Sequence, residues 1–189
     1  MNEAAVMIDI ETGATSPDAA ILSIGACIFD PKVIRTAEEL KDNSFSQIIS
    51  FESNNDRHWS GDTIKWWLRQ SQEAIDGLFQ GNPTPLNSAL ALFKCWVNQH
   101  TPQPINVWAK SPSFDVVIME HAFNQAKMMW PFKFWNTRDV RTIEDLAFPN
   151  GPDERPPRNG VHHRAVDDAI YQAQCVQIAY QRLGLSASP

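Results

Sequence analysis

Residues 4–13 read Ala-Ala-Val-Met-Ile-Asp-Ile-Glu-Thr-Gly, and the fold follows from how this stretch is placed. The apolar run from Ala4 to Ile10 is bounded by Thr12, Gly13 and a Ser-Pro-Asp turn at 16–18, which predicts a buried strand. Strand side chains repeat every two residues, so Asp9 and Glu11 leave the same face at the strand's exit. Two like charges roughly 7 Å apart along the backbone repel each other unless a cation sits between them. An isolated Asp-x-Glu pair is more often simply solvated, but the run ahead of this one is too apolar for an exposed edge.

Two later fragments carry further acids. INVWA (105–109) reads as a second buried strand, followed by a helix over 114–128 with apolar Phe114, Val117, Ile118, Ala122 and Phe123 on one stripe. Ser111 or Ser113 can cap that helix, which puts Asp115 in its first turn; taken alone, an acid there equally complements the helix dipole. The segment Ala165–Leu183 is helical by its apolar spacing and ends at Gly184. His162 and His163 lie just ahead of it, with Asp167 and Asp168 about one turn inside. Both His/Asp pairs are five positions apart, so spacing alone leaves the register open.

The remaining order reads as strands at 20–29 and 44–51, helices at 62–70, 72–79 and 85–98, a strand near 136–140 and a short helix at 142–147. Residues 31–43 and 149–160 read as loops, the second rich in proline and glycine and placed as a mobile lid leading to His163. Three early strands, then strands alternating with helices, predict a mixed sheet. No second domain, repeat or low-complexity tract interrupts 189 residues, and one sizeable core is within reach of that length.

In this order the fragments VMIDIET, SPSFD and HRAVDDA resemble the DEDDh family of 3′→5′ exonucleases. DIETG at 9–13, ILSIGACIFD at 21–30, TIKWWLRQ at 63–70 and TRDVRTIEDLA at 137–147 are similar to one subgroup, the mycobacterial-type exoribonucleases and the exonuclease A of T-even phages. The resemblance runs from Val6 to about Gln174. It implies an α/β, ribonuclease H-like fold: a mixed five-stranded sheet with the first strand central and helices on both faces. It implies that Asp9, Glu11, Asp115 and Asp168 hold two Mg²⁺ or Mn²⁺ ions, with Glu11 and His163 beside the attacking water. The family pattern H-x-A-x-x-D selects His163, Ala165 and Asp168, leaving His162 as a solvated loop residue and Asp167 as a surface acid.

The substrate implied is a single-stranded RNA or DNA 3′ end, cut to nucleoside 5′-monophosphates. Thr12 and Gly13 would meet the terminal nucleotide through backbone amides, with Trp66, Trp67 and Phe114 as further contacts; oligoribonuclease, which has a similar H-R-A-x-D-D stretch, stacks a tryptophan on a terminal base. Trp66 and Trp67 are adjacent on a helix, so one must pack inward while the other faces the cleft. Lys110 and Pro112 depart from the family, standing where small residues are the pattern. Relatives are often homodimers.

Charge and cysteine usage narrow the setting. The net charge is −6, with 7 basic and 13 acidic side chains in residues 1–109 and 9 of each in 110–189. The absence of a basic stripe argues against tight binding of long duplexes, which needs many phosphate contacts, and suits an enzyme that grips a few nucleotides. Cys27, Cys95 and Cys175 are widely spaced in apolar segments, as expected for reduced core thiols in the cytoplasm. Nothing reads as a signal peptide or a membrane span. Among the tryptophans, Trp96 and Trp108 read as core. Two rival classes are a catalytically silent nucleic-acid-binding module of the same fold and a cluster that binds a cation only for structure; the first usually lacks a ligand and the second needs no histidine.

Overall fold

The computed structural model describes residues 4–79, 81–100 and 105–186. Its strands are β1 (Ala5–Thr12), β2 (Ile21–Phe29), β3 (Ser44–Ile48), β4 (Asn106–Ala109) and β5 (Thr137–Asp139). Its helices are α1 (Ala37–Lys41), α2 (Gly61–Trp67), α3 (Gln72–Asp76), α4 (Leu86–His100), α5 (Asp115–Gln125), α6 (Val140–Ala147) and α7 (Ala165–Arg182). The five strands form one mixed sheet in the order β3-β2-β1-β4-β5. β1 is antiparallel to β2 and parallel to β4, and β4 is parallel to β5. This is the α/β, ribonuclease H-like arrangement expected.

The alternation within β1 explains the layers. Val6, Ile8 and Ile10 face one core, with Phe93 and Val97 of α4 and Ile118, Met119 and Phe123 of α5. Ala5 and Met7 face the other core, with Ala169, Ile170, Ala173 and Val176 of α7. Being covered on both sides, β1 can be apolar at every position up to Asp9. Asp9 and Glu11 continue the α7 face, and so emerge where that helix begins.

Gly25 lets α7 come this close. It pairs with Asp9 across β1 and β2, and a Cβ there would stand 2.1 Å from the Ala165 carbonyl carbon and 2.2 Å from the Val166 nitrogen. No side chain fits between sheet and helix at that point.

Several boundaries differ from the sequence reading. Residues 31–43 contain α1, capped by Thr36 and Glu39, each side chain bonding the other's backbone N–H. The strand expected over 44–51 ends at Ile48, because Phe51–Asn54 turns into a 3-10 helix whose buried Asn54 exchanges two hydrogen bonds with the Ile21 backbone. α5 closes at Gln125, with Lys127 in the left-handed region at φ 55°, and its buried stripe is Val116, Ile118, Met119, Ala122 and Phe123, with Val117 exposed. Cys95 is exposed on α4, and Trp96 is half-buried beside Phe45 and Phe93. Trp108 is buried as expected.

Candidate active site

The acids meet at the C-terminal ends of the parallel strands β1 and β4, the usual place for a site in an open α/β sheet. One carboxylate oxygen each from Asp9, Glu11 and Asp168 lies within 4.8 Å of the other two. Glu11 and Asp168 are buried, and Asp9 is partly open to a cleft of about 620 Å³. Asp115 joins them from the first turn of α5, where Oδ1 accepts the Ile10 backbone N–H at 3.2 Å.

The electrostatics are those of acids without enough counter-charge. Burial, then repulsion from Asp115, Glu11 and Asp168, pushes the Asp9 carboxyl well above the usual carboxylate range. Glu11 is also raised, by burial and by Asp168 and Asp115, with Arg158 acting against them. Burial pushes Asp115 up to about 7, although the backbone N–H groups of Ile10 and of Asp115 itself pull it down. Hard oxygen donors that resist ionisation in each other's company suit a divalent cation.

The structure also separates the doubled residues. Asp168 Oδ2 accepts the His163 backbone N–H at 2.9 Å, and its Oδ1 pairs with Arg158. Asp167 turns the other way: its Oδ2 accepts the Val161 backbone N–H at 2.9 Å and lies 3.8 Å from Arg164 Nη1, so it shapes the loop instead of lying free on the helix surface. His163 adopts φ 63°, a left-handed conformation uncommon for a non-glycine residue and frequent where geometry serves a site. Its ring packs edge-on against Trp66 at 4.9 Å and Trp67 at 6.2 Å between centroids. Burial and the neighbouring His162 lower its pKa below 6.5, so the imidazole is neutral near pH 7. His162 is exposed yet lines the cleft, its ring 4.5 Å from that of His163.

The residues read as substrate contacts divide. Trp66 is 42% exposed and Trp67 6%, and Trp67 Nε1 donates to the Thr12 carbonyl at 2.9 Å. Thr12, Trp66, Trp67 and Phe114 line a second cavity of about 540 Å³ that shares Ile10, Glu11 and Phe114 with the first. Gly13 lines neither cavity. Its N–H donates to the Ala20 carbonyl at 2.8 Å, and a Cβ there would stand 2.6 Å from the Trp59 ring, so this glycine serves the close approach of Trp59.

Sequence reading missed three groups. Gln172, one helical turn past Asp168, is buried and donates Nε2 to Asp9 Oδ1 at 2.7 Å; the i, i+4 spacing is a usable signal. Tyr171 lies beneath the Arg158 guanidinium, 4.8 Å from ring centroid to Cζ. Glu144 of α6 is buried between Lys110 and Arg155, at 2.8 and 2.9 Å. The loop 149–160 is tied down through Arg155 to Glu144, through Arg158 to Asp168 and through Glu154 to Arg182.

A five-stranded mixed sheet covered by helices, with converging Asp, Glu, Asp and Asp side chains and a histidine from the loop ahead of the last helix, defines a nuclease of the ribonuclease H-like DEDDh class. The chain belongs to the Rv2179c-like 3′-5′ exoribonuclease domain family, whose pattern matches residues 4–180. The exodeoxyribonuclease of Enterobacteria phage T4 is 29% identical over 161 residues, spanning 74% of this chain and 70% of the phage protein. Among solved structures, the nuclease domain of 3′hExo, a DEDDh family member bound to rAMP, superimposes with a TM-score of 0.61 at 12% identity, over 98% of this chain and 95% of that one. Product-bound exonuclease I gives a TM-score of 0.62 at 13% identity over 97% of this chain and 45% of its own. The Mg²⁺- and Mn²⁺-bound form of S. pombe Pop2p gives 0.63 at 11%, over 98% and 86%. The protein is a 3′-5′ exonuclease of this fold.

Proposed function

We propose that this chain is a metal-dependent exonuclease that removes nucleoside 5′-monophosphates one at a time from the 3′ end of single-stranded RNA or DNA, and that residues 4–186 form its single catalytic domain. The observation that carries this reading is the group of Asp9, Glu11, Asp115 and Asp168 at the cleft, with His163 held against it. Their donor chemistry fits two Mg²⁺ or Mn²⁺ ions, the metals named for the structurally similar Pop2p. Cations held there supply Lewis acidity toward water and toward the phosphate oxygens.

The chain's own residues do the rest. The terminal nucleoside enters the cavity of Thr12, Trp66 and Phe114, where Trp66 offers an exposed face for base stacking. The scissile phosphate then lies at the carboxylates, where this cavity meets the larger cleft. His163, neutral near pH 7, accepts a proton as the water oxygen bonds to phosphorus, with Glu11 orienting that water. The bond from phosphorus to the 3′ oxygen breaks, that oxygen takes a proton from solvent, and the phosphate leaves on the 5′ carbon of the released nucleotide. Gln172 holds Asp9 in position, and the Trp66 and Trp67 rings hold the imidazole.

The family description names an exoribonuclease and the phage relative an exodeoxyribonuclease, which supports both sugars as substrates to be compared. Three free thiols support action in a reducing compartment, the cytoplasm; no helix among the described residues is long and apolar enough to cross a membrane. The test uses 5′-labelled single strands of both sugars and a closed circular strand. A ladder shortening by one nucleotide, with 5′-monophosphate as product and the circle intact, is expected. Rapid cutting of the circle would contradict an exonuclease site.

A further inference from the structure

The larger cleft holds, besides the acids, four cations that hydrolysis as described above does not use. Lys110 comes from the turn after β4, Arg141 from α6, and Arg155 and Arg158 from the loop before α7. Their convergence is not a general bias of the chain, whose net charge is −6. We propose that this side of the cleft is a subsite for an internal phosphodiester of the bound strand, the one next to the scissile linkage on its 5′ side, with Glu144 as the residue that positions two of its cations.

Glu144 is the main argument. It is 1% exposed and occupies the buried stripe of α6 between Val140 and Ala147, where an apolar side chain would pack without a desolvation cost. A buried ion cluster is seldom more stabilising than such packing. What Glu144 achieves is to hold Lys110 Nζ and Arg155 Nη2 together at the cleft wall, at 2.8 and 2.9 Å. One carboxylate shared by two cations leaves one positive charge uncompensated. Arg141 adds a further charge at the cleft, one that reaches Asp115 and pulls its carboxyl down. Arg158 lies over the Tyr171 ring, which sets its plane, while its Nη2 pairs with Asp168. Guanidinium groups so arranged match the oxygens of a phosphate.

The direction of the strand follows from the second cavity. Its lining includes Thr12, Trp66 and Phe114 and two acids, Glu11 and Asp62, with no lysine or arginine. It suits a nucleoside and not a phosphate. The two cavities meet at Ile10, Glu11 and Phe114, so a strand whose 3′ nucleoside occupies one and whose scissile phosphate lies at the acids passes its next phosphate to the basic side. The inference rests on the exonuclease reading.

The experiment compares two 5′-labelled oligomers, one unmodified and one with a single uncharged methylphosphonate at the linkage 5′ of the scissile one, on the wild-type enzyme and on Arg141→Gln and Arg155→Gln. The wild type should lose about tenfold in kcat/KM on the modified strand, the worth of one charge-assisted contact. Each variant should lose a smaller factor on the unmodified strand and respond to the modification clearly less than the wild type does. Arg141 is exposed, so its replacement leaves the packing intact even if the Arg155 variant folds poorly. A wild type indifferent to the methylphosphonate, or variants that suffer the same further loss as the wild type, would overturn the subsite. Absence of any ladder on the unmodified strand would overturn the nuclease reading and the subsite with it.

Discussion

Replacing Asp115 by Asn should make the metal-free protein more stable at alkaline pH while removing its response to divalent cations. Asp115 is 3% exposed, and its carboxyl is raised from 3.8 to about 7. A raised native pKa means that, between these values, the folded state binds more protons than the unfolded state. Stability therefore falls as pH rises through that window. At 1.36 kcal/mol per pKa unit, the charged carboxylate costs the fold about 4 kcal/mol at pH 8 and about 2 kcal/mol at pH 5. Asn is neutral at both pH values and keeps an oxygen for the Ile10 N–H. In chelator, Asp115→Asn should melt above the wild type by on the order of 10 °C at pH 8, at about 2–4 °C per kcal/mol for this size, and by clearly less at pH 5. Adding Mn²⁺ should raise the wild-type melting temperature at pH 8, since a ligand bound only by the native state stabilises it, and should raise the variant's much less. A variant less stable than the wild type at pH 8 in chelator, or an advantage that does not change with pH, would refute the reasoning.

Two further outcomes follow from the geometry around α7. His163→Ala should lower turnover roughly 10²–10⁴-fold with Mn²⁺ binding by calorimetry nearly unchanged, while His162→Ala costs little; a reversed pattern would shift the proton acceptor by one residue. Gly25→Ala places a methyl against the backbone of Ala165 and Val166 and should cost about 1–3 kcal/mol in denaturant melts together with activity, whereas Gly61→Ala, with nothing within 4 Å of its Cβ, should be close to neutral.

The sheet was largely legible because β1, β2 and β4 are buried and apolar, and a strand covered on both sides announces itself without alternation. What local pattern hid were elements held by side-chain hydrogen bonds. The charged segment 31–43 concealed α1, although Thr36 and Glu39 form a recognisable capping box, and Asn54 ends the strand expected over 44–51 through bonds to a distant backbone. At the site, the spacing of Asp9 and Glu11 is local and readable. The choice of Asp168 over Asp167 came from family resemblance; in the structure Asp168 has a carboxylate oxygen near those of Asp9 and Glu11, while Asp167 accepts the Val161 N–H and lies near Arg164. Glu144 was invisible as a polar organiser because its partners, Lys110 and Arg155, are 34 and 11 positions away in the chain. Gly13 was assigned to substrate because it follows the acids; local pattern gave no sign that its lack of a side chain also admits the Trp59 ring.

The most direct measurement is anomalous diffraction from crystals of the protein soaked in Mn²⁺, with Asp168→Asn crystals soaked in parallel. Anomalous density should appear bounded by the carboxylates of Asp9, Glu11, Asp115 and Asp168, and be reduced or lost in Asp168→Asn. Density confined to His162 and His163, or none at the carboxylates in crystals that still shorten a soaked oligonucleotide, would contradict this.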